Sequence, residues 1–207
     1  MRLNAARPAA TKIHISNDFR YAEMHLSPDD LIANPGAAEL LSACSYEIAI
    51  EPEGAAWFTV DGIPVVRQIG QDGAGGIFAL LPPTQRVLYV TSEGQAGIIA
   101  ADFEAFIQLI VSYPYWHDLL TFSGNGQLEQ MRRAATALEA TLDDEEQVND
   151  SRDLLRSLFP LVESVDHISA LHLMVSSSDV VVRPPDGEPF TTLFNSFTID
   201  NNPFLVD

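Results

Sequence analysis

Between residues 46 and 100, apolar and polar positions follow one another with the short period of β-strands, and on either side the apolar residues recur at helical spacing. "YEIAIE" alternates. "AWFTV" and "IPVVRQI" flank Asp61-Gly62, a two-residue hairpin signal, and "IFALL" and "RVLYVT" flank Pro82 to Gln85 as a second hairpin. No helical pattern separates these strands. An antiparallel meander is therefore predicted over 46–100, because parallel neighbours need crossovers of a dozen or more residues.

Upstream, "TKIHIS" fits a short edge strand, and "SPDDLIANPGAAELLSAC" predicts two short helices joined at Asn34-Pro35-Gly36, with Ser27 or Asp29 as the first cap. Downstream, Asp102 caps a helix whose Phe103, Phe106, Ile107 and Ile110 share one face. Pro114 ends it. A short second helix then runs through Leu119 and Leu120, and Tyr113, Tyr115 and Trp116 read as core. The glycines around Ser123 to Gly126 mark a boundary. Beyond it, the stripe Leu128, Met131, Ala135, Leu138 and Leu142 and a helix over 150–159 predict an antiparallel helical pair. "ALHLMV" and "DVVVR" predict two more strands. The proline-rich tail carries Phe190, Phe194, Phe197 and Phe204 and is expected to lie over the body. The fold class is thus α+β: an antiparallel meander sheet with helices packed on it and a C-terminal helical extension. Residues 1–125 form the core, and 126–207 form an extension packed on it as one globular unit.

Candidate chemistry changes this picture little. "IGQDGAGGIFALL" at 69–81 has the glycine spacing of a phosphate loop from Gly70 to Gly75, but Gly76 and Ile77 stand where Lys and Ser or Thr are required. A strand follows it, so there is no helix N-terminus to hold an anion. These glycines read as a bend. His14, His25, His117, His167 and His172 form no metal-ligand spacing, and Cys44, the one cysteine, sits in an apolar context as a buried thiol. No catalytic residue, metal or cofactor is nominated, and a non-enzymatic protein is expected.

Charge is the extreme property of the 207-residue chain: 29 acidic residues face 11 basic ones, a net charge of −18. The imbalance grows along the sequence, with 6 basic against 11 acidic residues in 1–100 and 5 against 18 in 101–207. Direct nucleic-acid binding is excluded by the lack of clustered Lys and Arg, whereas a basic protein partner would be steered to the acidic half. The run Asp143, Asp144, Glu145 and Glu146 is the candidate contact. No membrane-length apolar run or secretory apolar block is present, so a cytoplasmic protein is expected.

Residues 70–116 resemble the SUKH superfamily of Smi/Knr-like proteins. The resemblance rests on the glycine turn Gly73 to Gly76, "IFALL", "PPTQ", "RVLYVTSEG" with Glu93, "IIA" at 98–100, and "DFEAF" with Phe103 and Phe106. It covers about a quarter of the chain. It implies an immunity-type protein that binds and neutralises a bacterial toxin, here a basic nuclease drawn to the acidic surface. It also places Glu93 near the sheet rim as a further contact. The alternative is a regulatory or scaffolding module of the same fold with no toxin partner.

Overall fold

Capping chemistry sets the first elements of the computed structural model, which describes residues 26–49, 56–142, 146–159, 165–185 and 187–201. The Ser27 hydroxyl accepts from the Asp30 N–H while the Asp30 carboxylate accepts from the Ser27 N–H, a capping box that opens α1 (Pro28–Ile32). Asn34 caps α2 (Pro35–Ser42) in the same manner, accepting from the Ala37 N–H at 3.2 Å. The two predicted helices are present. "TKIHIS" lies outside the described residues.

Five strands, β1 (Glu47–Ile48), β3 (Arg67–Gln71), β4 (Ile77–Leu81), β5 (Arg86–Val90) and β6 (Ala96–Ala100), form an antiparallel sheet in the order β1-β3-β4-β5-β6. The predicted meander is its body. β4 is apolar at every position because both faces of the sheet are covered. Phe78 and Leu80 join Tyr46, Tyr89, Phe106 and Trp116 beneath the helices. Ile77, Ala79 and Leu81 join Phe58, Val60, Val66 and Val182 on the opposite face.

That second face is covered by a ribbon of β2 (Thr59–Val60) and β7 (Val182–Arg183), which corrects the first predicted hairpin. The Asp61-Gly62 turn exists, with Gly62 at φ +75° and the Ile63 N–H donating to the Val60 carbonyl at 3.0 Å. Its two arms then part into different sheets. Pro64 has no N–H to continue a ladder, and the Asp61 N–H instead donates to Val181 at 2.9 Å, so β2 pairs with the far end of the chain.

The helices α3 (Phe103–Ser112) and α4 (Trp116–Thr121) stand where the spacing predicts, with the Asp102 carboxylate accepting from the Ala105 N–H at 2.8 Å. α5 (Leu128–Leu142) and α6 (Glu146–Leu158) are also helical, but they take different neighbours instead of pairing along their lengths: α5 packs on α4 and α7, and α6 on α2 and α3. The segment "ALHLMV" belongs to α7 (His167–Ser176), not to a strand. Leu171, Leu173 and Val175 imitate a period of two. The buried set is Ile168, Leu171 and Val175, however, and Leu173 is 58% exposed; the Asp166 carboxylate caps the helix by accepting from the Ser169 N–H at 3.0 Å.

The described part of the tail, 187–201, lies along the body, and Phe204 lies outside the described residues. Thr191 bridges to Gln95 beside β6, Leu193 is buried, and residues 199–201 close in a short 3-10 helix. The glycine boundary is stitched to this tail by the Gly124 N–H on Phe197 and the Asn125 N–H on Asn195. One apolar cluster draws on Trp116 and Leu119 as well as Met131, Leu155 and Leu171, so the core crosses residue 125. Among the described residues no helix is long and apolar enough to cross a membrane.

Candidate functional site

The bend between β3 and β4 is organised by an aspartate. Asp72 Oδ1 accepts from the N–H groups of Ala74 and Gly76, both at 2.8 Å, while its own N–H donates to the Gly76 carbonyl at 3.0 Å. Gly75 takes φ +87°, which an L side chain resists. Gly76 is needed for closeness: a Cβ there would stand 2.5 Å from Asp72 Oδ2 and 2.6 Å from the Tyr89 hydroxyl.

Cross-strand register supplies the second member. Tyr89 lies opposite Phe78 and stacks on it with ring centroids 4.8 Å apart, which aims its hydroxyl to donate to Asp72 Oδ2. His117, in the first turn of α4, completes the constellation with Nε2 at 3.5 Å from the same oxygen, an ion-pair separation and not a hydrogen bond. Its ring packs against Trp116 at 3.6 Å and the edge of Tyr89 at 4.9 Å. Burial raises the Asp72 pKa, but the contacts from His117, Tyr89, Gly76 and Ala74 outweigh it and hold the carboxyl below its ordinary range. Tyr89 moves the other way, its pKa raised by burial, by its bond to Asp72 and by the charges of Asp72 and Glu93.

Above this constellation opens a cavity of about 420 Å³, walled by the 72–76 bend, the turn after β5, α4 and the tail. Glu93 occupies that turn as an exposed residue on the cavity lining. Of the other predicted contacts, Asp143, Asp144 and Glu145 lie outside the described residues, and Glu146 is the first residue of α6. The structure therefore brings Glu93 together with Asp72, Tyr89 and His117. Those three were not nominated from sequence. The only local signal was the Asp-Gly start of the bend, since Tyr89 and His117 are separated from Asp72 by 17 and 45 positions.

A second network fixes the helices that bracket the acidic run. The buried Arg152 of α6 donates Nε to the Val111 carbonyl at 3.2 Å and a terminal nitrogen to the Ser112 carbonyl, satisfying the buried carbonyl end of α3. It also pairs with Glu139 of α5, whose other oxygen accepts from Tyr115. Burial raises the Glu139 pKa, and the bonds from Arg152 and Tyr115 reverse this, so its carboxyl is held below the ordinary range. Cys44 lies in the same core as expected, its thiol pushed up to about 11 by burial against the opposing charge of Arg152.

Every arginine among the described residues is paired with a carboxylate: Arg67, Arg86, Arg132, Arg133, Arg152, Arg156 and Arg183 each have one within 4.0 Å. Among the described residues, no three His, Cys, Asp or Glu side chains converge to hold a metal ion. No family model, curated protein or solved structure matches the chain.

Proposed function

We propose that the chain is a non-enzymatic, SUKH-like immunity protein that binds and neutralises a bacterial toxin, with a basic nuclease as the target class. Its acidic surface acts as a decoy for phosphate and includes Glu93, Asp143, Asp144, Glu145 and Glu146. The observation that carries this reading is the pairing of all seven described arginines, which consumes the basic charge of residues 26–207 within the protein itself. Carboxylates outnumber them heavily, so the field felt by an approaching protein is negative.

Support for binding over catalysis comes from Asp72. Both of its oxygens are committed to holding the bend and Tyr89, which is the work of a structural carboxylate and not of a mobile acid or base.

The experiment is affinity capture of the protein encoded beside this gene, using the wild-type chain and a variant carrying Asp143→Lys, Asp144→Lys, Glu145→Lys and Glu146→Lys. The reading predicts a complex that the variant weakens by about a hundredfold while its circular dichroism is unchanged. A complex of equal strength with the variant supports the regulatory or scaffolding alternative.

A further inference from the structure

Resting on that reading, we infer that the cavity between the β3–β4 bend, the β5–β6 turn and α4 is a socket for one cationic side chain, an arginine or lysine, of the basic partner. The cavity measures about 420 Å³, room for such a side chain, and none of its lining residues is an arginine or lysine. Two carboxylates line it from different elements, Asp72 at its base and Glu93 at its rim. Both charges reach the same point, since each raises the Tyr89 pKa. The half-buried ring of His117 lines the cavity as well, a surface on which the stem of a guanidinium or alkyl-ammonium side chain can rest.

The polar groups around this pair suit a donor-rich guest. The Gln95 side-chain nitrogen is already engaged, donating to the Thr192 carbonyl at 3.1 Å, which leaves its amide oxygen as the acceptor end. Asp72 contributes chiefly as a fixed charge, since Oδ1 already accepts from two backbone N–H groups and Oδ2 from the Tyr89 hydroxyl. Glu93, exposed and at the rim, is the group free to close over the guest's donors. A neutral or anionic guest would face the same two charges without compensation.

The test is a nuclear magnetic resonance titration of the full-length chain with N-acetyl-arginine amide and N-acetyl-lysine amide, with N-acetyl-citrulline amide as the uncharged isostere of the first. The socket predicts saturable shifts confined to Gly73–Gly76, Glu93 and His117 for a cationic probe, with millimolar affinity and at least about tenfold weaker binding of citrulline. Glu93→Gln should weaken the cationic probe about threefold, whereas Asp150→Asn on α6 should leave it unchanged. The inference is overturned if no cationic probe saturates below about 100 mM. Equal binding of citrulline, or equal effects of Glu93→Gln and Asp150→Asn, overturns it too. A chain that still captures and neutralises its toxin with an empty socket overturns this inference alone, and a filled socket without any toxin complex overturns the proposed function alone.

Discussion

Gly76 and Asp72 are the residues on which the bend depends, for different reasons. A methyl group at position 76 would enter the space held by Asp72 Oδ2 and the Tyr89 hydroxyl, both buried and bonded to each other. Gly76→Ala is expected to cost about 3 kcal/mol in urea unfolding, whereas Gly73→Ala, which meets open space, should cost less than about 1 kcal/mol. Asp72→Asn at pH 7 should lose about 2 kcal/mol, because the turn N–H groups and the tyrosine hydroxyl then face a neutral amide. The pH dependence follows from the depressed pKa. A carboxyl that ionises more readily folded than unfolded stabilises the fold fully above its unfolded value, 3.8, and loses that contribution as pH falls through the folded value. The stability gap between wild type and Asp72→Asn should therefore be constant from pH 7 to about 5 and narrow below about 4. A gap that widens on acidification would contradict it.

At the scale of elements, Arg152 ties three helices together, since one guanidinium of α6 bonds α3 and α5. Arg152→Met should destabilise by about 3 kcal/mol by stranding two helix-end carbonyls and Glu139, and adding Glu139→Gln should recover part of that loss in a double-mutant cycle. Additive losses would show that the pair is not coupled. Elements whose signals are local were legible in the sequence: the two short helices joined at Asn34-Pro35-Gly36, the helix capped by Asp102, the β4–β5 hairpin and the bend at 72–76. Those decided by distant partners were not. The Asp61-Gly62 turn joins strands of two sheets because Val182 waits 122 positions beyond Val60, and α7 reads as a strand because Leu171 and Val175, four apart, suit either period. The α5–α6 pair failed for the same reason: a stripe of apolar residues shows that a helix is buried without showing on what. Leu193, packed on Gly97 at the sheet edge, is the tail's anchor. Leu193→Ala should cost about 2 kcal/mol and raise amide exchange across 191–199.

Over the whole molecule, the acidic excess was plain from composition, but its distribution was not. Every described arginine is paired with a carboxylate, so the charge left unpaired among the described residues is the excess of carboxylates. Glu93 was legible only through the resemblance of residues 70–116, whose pattern sets an acidic residue just after the strand "RVLYV". The Asp72–Tyr89–His117 constellation was not, since it forms only where cross-strand register and the Pro114 break bring three separate segments to one point. Together these place a fixed negative charge beneath a rim carboxylate on a protein whose described cations are already matched. The measurement that bears most directly on this account is growth of cells expressing the protein encoded beside this gene, with and without the wild-type chain. The account predicts that the neighbour arrests growth alone and that the wild-type chain restores it, whereas the four-lysine variant at 143–146 does not. Arrest that the wild-type chain leaves untouched, or protection that survives the charge reversal, would contradict it.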